Sequence, residues 1–251
     1  ALKISGDCDS LVTYLEKFDL PLRVMQDKES LERLTYEVFE DAYKENVVYL
    51  ELRFAPVLHT RKGLTERDAI EAVIGGMERA KKDLDIEGNI IICCMKNLGE
   101  EEALKTIKAG YTYMNKGLVG VDLAGKEDIG FAHKYIRAMR LAKDMGYNIT
   151  VHAGEAGPGQ NILDAISLLG AQRIGHGTNL YQSDEAFRLV KENNILENNE
   201  ILDKEFLKIR EDFKFFENNK DIIYLDSAAM TQKPNSVLED VLNYYNNSSS
   251  N

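Results

Sequence analysis

Residues 89–95 read Asn-Ile-Ile-Ile-Cys-Cys-Met, in which 90–95 form a near-continuous apolar run. A strand with one wet face alternates apolar and polar residues, so a run like this demands cover on both faces, as in a parallel sheet clothed by helices. Outward from it, similar short runs recur at 47–54 (VVYLELRF), 118–123 (LVGVDL), 148–152 (NITVH), 173–176 (RIGH) and 194–197 (NILE). Helical patterns fill the gaps between them. Thr65-Glu66-Arg67-Asp68 has the form of a capping box opening a helix, with Asp at the Glu position, and Gly146 stands where a helix end passes into the next strand.

Repeated strand–helix units make either a closed (β/α) barrel or an open doubly wound sheet. The polar residues decide for the barrel. Each run delivers one near its C-terminal end, namely Arg53, Lys96, Asp122, His152, His176 and Glu197, and that rim is where barrels build their sites. An open sheet would gather its ligands at one switch point after a glycine-rich turn, and neither GxGxxG nor GxxxxGK[ST] occurs. The expectation is an α/β fold, an incomplete (β/α)8 TIM barrel, because only six of eight units precede residue 198. The rhythm then changes to a helix over 200–217, a strand over 221–226 (DIIYLD) and a helix over 236–245. The domain reading is therefore 1–197 for the partial barrel and 198–251 for an appended helix–strand–helix segment.

The 251 residues are 44% apolar and 29% charged, the composition of a folded globular chain. The net charge of −11 disfavours nucleic acid and anionic membranes as partners. No apolar run reaches the roughly 18 residues of a membrane span, so a cytoplasmic protein is expected. Three cysteines, two of them the neighbours Cys93 and Cys94, form no CxxC pair and read as small core residues in a reduced compartment.

His152-Ala-Gly-Glu155 puts an imidazole at a strand end and a carboxyl just beyond it. A neutral imidazole can bind Zn²⁺, and a partly desolvated carboxylic acid can carry a proton. Gly175-His176-Gly177 places a second imidazole at the neighbouring rim position, one strand–helix unit later. A lone histidine at a strand end is more often a hydrogen-bonding cap; two at matched ends favour chemistry. His59, on a loop, and His133, on a helical pattern, read as structural or surface residues.

Four stretches resemble the adenosine deaminase family of metal-dependent amidohydrolase barrels: VYLELRFAP (48–56), GVDLAGKE (120–127), TVHAGE (150–155) and RIGHGT (173–178). The resemblance implies hydrolytic deamination of a purine nucleoside, adenosine and water giving inosine and ammonia. It implies His152 as a zinc ligand, Glu155 as proton donor to the purine ring, His176 as the group that orients and deprotonates the attacking water, and Gly125 against the purine. The family's zinc site also draws two histidines from an HxH motif on the first strand and an aspartate from a TDDP-like motif on the last. Neither motif occurs in this sequence. One imidazole does not make the three-ligand set of a hydrolytic zinc site, so a barrel cut at both ends and impaired in activity is expected. The other reading is an inactive remnant that self-associates through exposed strand edges.

The stretch 208–234 (KIREDFKFF…KDIIYLDSAAMTQKP) resembles the N-terminal segment of cysteine desulfurases, pyridoxal-phosphate enzymes of another fold. The lysine that holds their cofactor lies far downstream of this segment, so no such chemistry transfers. A fusion of two unrelated reading frames is the simplest account. Asp226 as a stand-in for the missing metal aspartate is the weaker one.

Overall fold

A computed structural model describes residues 19–192. The strand expected at 194–197 with Glu197, and the elements expected at 200–217, 221–226 and 236–245, lie outside the described residues. Within them two leading helices, α1 (Asp19–Val24) and α2 (Lys28–Lys44), precede a regular alternation. It runs β1 (Tyr49–Phe54), α3 (Glu66–Asp83), β2 (Glu87–Met95), α4 (Glu100–Gly110), β3 (Leu118–Ala124), α5 (Ile136–Asp144), β4 (Asn148–Ala153), α6 (Gly159–Ser167), β5 (Arg173–His176) and α7 (Asp184–Glu192). The five expected strands within this span all form, with ends shifted by at most two residues. The local signals hold as well. Thr65 Oγ1 accepts from the Asp68 N–H at 3.2 Å and the Asp68 carboxylate accepts from the Thr65 N–H at 3.0 Å, closing the capping box. Gly146 takes φ +84°, the left-handed conformation that ends α5.

All five strands are parallel, and their order in the sheet is their order in the chain. A doubly wound sheet would reverse that order somewhere; here it never reverses. The sheet also curls. Four strand spacings of a flat sheet would set β1 and β5 roughly 19 Å apart, further than a glutamate and an arginine reach toward each other. Yet Arg173 Nη1 on β5 lies 2.5 Å from Glu51 Oε2 on β1. The product is a parallel half-barrel with helices on its outside.

The unbroken run in β2 is explained by its two faces. Ile90, Ile92 and Cys94 pack outward with Val121, Leu123, Val151 and Ile174 against helix residues such as Ile70, Met77, Ile107, Met139 and Ile162. Ile91 and Cys93 alternate with them and are also buried, at 4% and 8% exposure, on the opposite, concave face. Each fully buried side chain of this size contributes about 1.5–3 kcal/mol. Both neighbouring cysteines are free and buried, and burial pushes both thiols up, so they serve as core residues.

Helix α3 carries adjacent glycines with opposite surroundings. A Cβ on Gly76 would lie 2.2 Å from the Glu32 carbonyl oxygen of α2, whereas one on Gly75 would meet only the flexible Glu32 side chain at 3.7 Å. Gly76→Ala should therefore destabilise the chain by about 2 kcal/mol or more, and Gly75→Ala should stabilise it by about 0.5–1 kcal/mol through helix propensity. Urea unfolding of both variants measures the contrast; equal effects of the same sign would refute this account of the α2–α3 contact.

Candidate active site

The C-terminal ends of the strands converge as the sequence pattern predicts. Asp122, on β3, is the centre of the cluster and fully buried. Its Oδ2 lies 3.0 Å from Arg53 Nη1 of β1, and its Oδ1 lies 2.9 Å from His152 Nδ1 of β4. A buried carboxylate would ordinarily be pushed up. Here the hydrogen bond and charge of His152, with the charges of Arg53 and Lys96, outweigh burial and hold it below its usual value. A carboxylate only accepts, so the Nδ1 of His152 carries a hydrogen, and in the neutral ring Nε2 is then the lone-pair nitrogen.

His176 sits beside His152, with ring centroids 5.1 Å apart and the rings edge-on. Its backbone is left-handed at φ +65°, a conformation that costs a non-glycine residue about 1–2 kcal/mol. Strain of this kind survives only where the surroundings impose it. The flanking glycines explain how. A Cβ on Gly175 would lie 2.9 Å from the His152 ring, so the imidazole lies flat against the β5 backbone, and Gly177 turns the chain at φ +64°.

Glu155 joins this pair: its Oε2 lies 3.5 Å from His176 Nε2. The loop that carries it is held from both sides. The carboxylate of Glu127 accepts from four consecutive backbone N–H groups, of Gly154 (2.7 Å), Glu155 (2.9 Å), Ala156 (3.1 Å) and Gly157 (3.0 Å), and from the Asn161 side chain at 2.9 Å. On the other side, Thr178 Oγ1 donates to the Gly154 carbonyl at 2.6 Å and Asn179 Nδ2 to the Gly157 carbonyl at 2.8 Å. Burial pushes the Glu127 carboxyl up, but these donors and the Lys96 charge prevail and keep it below its usual value.

Lys96, directly after β2, completes the cluster. Its ammonium donates to the His152 carbonyl at 2.6 Å and stands 4.1 Å above the Phe131 ring, while Tyr135 Oη donates to the Lys96 carbonyl at 2.6 Å. Gly125 is one residue past β3, at the same end of the sheet, with φ +98°. The other two histidines stay out of the site. His59 is buried in a 3-10 turn with Nδ1 2.7 Å from the Met25 carbonyl oxygen, and His133 is an exposed residue of another.

His152, Glu155 and His176 are thus brought together, with Asp122, Lys96, Glu127 and Asn161 around them. The roles of Glu127 and Asn161 were not read from the sequence. A carboxylate two residues past Gly125 and the two glycines bracketing Glu155 were the available signals. Among the described residues no group of three His, Cys, Asp or Glu could hold a metal ion. The His152 imidazole does not by itself make the three-ligand set of a zinc centre.

The profile of the adenosine deaminase family matches residues 2–199. This chain belongs to the adenosine deaminase family. It is 48% identical over 194 residues to an adenosine deaminase of Clostridium botulinum (strain 657), covering 77% of this chain and 59% of that protein. It is 46% identical to one of Clostridium perfringens (strain SM101), covering 77% and 58%. The chain therefore spans under two thirds of the length of these deaminases. Among solved structures it resembles the N6-methyl-AMP deaminase of Arabidopsis thaliana, with 31% identity, TM-score 0.65 and coverage of 74% of this chain and 56% of that one. It also resembles an amidohydrolase from Burkholderia ambifaria with bound zinc, with 25% identity, TM-score 0.66 and coverage of 71% and 50%.

Burial pushes the Lys96 ammonium down from 10.5 to about 8, although Glu127, Asp122, Glu155 and Asp128 oppose it. The folded chain then releases this proton more readily than the unfolded chain, which binds more protons between about pH 8 and 10.5. Stability conferred relative to Lys96→Met should rise with pH across that window, by on the order of 2–3 kcal/mol. Urea unfolding of both proteins from pH 7 to 10.5 reads the difference. A flat difference would show that Lys96 keeps its ordinary titration.

Proposed function

We propose that this chain carries the purine-contacting and proton-transferring part of an adenosine deaminase centre. The observation that carries the reading is the meeting of Glu155 with His176 at 3.5 Å beside His152, at the strand ends of a parallel half-barrel. Glu155 donates a proton to a purine ring nitrogen, which makes the carbon bearing the amino group electrophilic. His176 orients the water that adds there and takes its proton. The Gly125 backbone lies against the purine, where a side chain would intrude. His152, with its Nδ1 hydrogen held by Asp122, would supply one imidazole ligand to a metal, short of a complete set. The family match and the deaminase relatives support the substrate class, a small purine nucleoside, adenosine going to inosine and ammonia. A domain boundary near 197–198 is supported by the family match ending at residue 199.

The donor set among the described residues favours a second reading for turnover. No three-ligand group occurs among them, and the second reading is a half-barrel that holds purine at the rim without deaminating it. Among the described residues β1 and β5 are the edge strands of the sheet, which supports self-association as the alternative use of this half-barrel.

Two measurements separate these readings. Inosine added to the isotope-labelled chain should shift the amide resonances of Gly125, Glu155 and His176; their indifference to purine would remove the deaminase reading of this site. Elemental analysis and ultraviolet assay of the same chain with zinc and adenosine should give sub-stoichiometric metal and no inosine. Stoichiometric zinc with turnover, lowered by about 10²–10⁴-fold in Glu155→Gln, would overturn the second reading and establish the first in full.

A further inference from the structure

The loop that carries Glu155 has an unusual hydrogen-bond economy. Its four consecutive N–H groups, from Gly154 to Gly157, all point to one carboxylate, that of Glu127, which belongs to the connection after β3 rather than to its own loop. Two carbonyls of the loop are taken up by Thr178 and Asn179 of the connection after β5. Successive N–H groups converging in this way form a concave anion cradle, and here the chain fills the cradle with its own carboxylate. The approach is close. A Cβ on Gly157 would lie 2.6 Å from Glu127 Oε1 and 2.3 Å from Asn161 Nδ2, so only glycine admits both groups.

Asn161 is the anchor. It is fully buried near the start of α6 and holds Glu127 with one amide hydrogen. It also donates to the Asp128 carbonyl at 3.2 Å and accepts from the Gly130 N–H at 3.0 Å. Glu127 is thus fixed to the body of the fold before it fixes the loop. Charge-assisted hydrogen bonds of this kind are worth more than neutral ones, and their loss leaves several N–H donors without a charged acceptor.

We propose that Glu127, anchored by Asn161, is a positioning residue that acts through the backbone of residues 154–157 to hold the Glu155 carboxyl against His176. The proposal rests on the reading of Glu155 as the proton donor, but its test does not use turnover or purine binding. If the deaminase reading fails and the positioning stands, purine shifts will be missing while the loop effects below remain.

In the unmodified chain, backbone amides of 154–157 should exchange with deuterium about tenfold or more slowly than that of Lys62 in an exposed turn, after correction for intrinsic rates. Glu127→Gln keeps the size and turns a side-chain N–H toward the loop donors. It should remove that protection by about tenfold or more while Ile91 and Val151 in the sheet keep theirs. The imidazole resonance of His176 supplies a readout that general stability does not move: Glu155→Gln should shift it in the unmodified chain and shift it much less in the Glu127→Gln background. Asn161→Ala, which leaves all four loop donors in place, should give a smaller loop-confined effect and serves if the first variant does not fold. Unprotected amides in the unmodified chain, protection lost equally in loop and sheet, or an undiminished His176 response in Glu127→Gln would each overturn the proposal.

Discussion

The cluster at the strand ends depends on a buried carboxylate. Asp122 has no exposure to water, and an isolated ionised carboxylate in such a place would be prohibitively unfavourable. It is tolerated because Arg53 and His152 reach it from β1 and β4. The same contacts have a structural and a chemical effect. They tie three strands together at the end of the sheet where side chains meet, and they choose which nitrogen of His152 is left as a base. Removing either partner would strand a charge, so the geometry of the cluster and the stability of the half-barrel are not separable here.

How far the sequence speaks follows from which forces are local. The strands were legible because a parallel sheet covered on both sides leaves no polar position in its middle, and 89–95 has none. The helix start at Thr65 and the turn at Gly146 were legible because capping and left-handed backbone are decided within a few residues. The strand-end polar residues marked one rim, and residues 53, 96, 122, 152 and 176 do meet there. The partners of Glu127 were not legible. Its donors lie 27 to 34 residues further along the chain, and nothing about a glutamate in a polar loop reveals that the fold will bring four amide hydrogens to it. Likewise the left-handed backbone of His176 breaks a local preference, and only the packed imidazole of His152 beneath Gly175 shows why.

The family membership and the geometry address different scales. The match to adenosine deaminases covers most of this chain but under two thirds of those proteins, and the described residues hold five parallel strands where a closed barrel has eight. What the described residues contribute is an organised rim: an oriented imidazole, a second imidazole in a strained backbone, and a carboxyl on a loop clamped from both sides.

The order of the strands bears on how the chain acquires its shape. Since every strand pairs with its predecessor, the sheet can grow in the direction of synthesis, each unit docking on a neighbour already made. Ties that skip units come on top of this order, and the bridge between Glu51 and Arg173 skips furthest among those described above, across 122 residues. Closing so long a loop carries an entropic cost that only the completed intervening units offset. Curvature is therefore the last property of the sheet to be secured, and an emerging chain would hold its strands in the right sequence well before it held them in an arc.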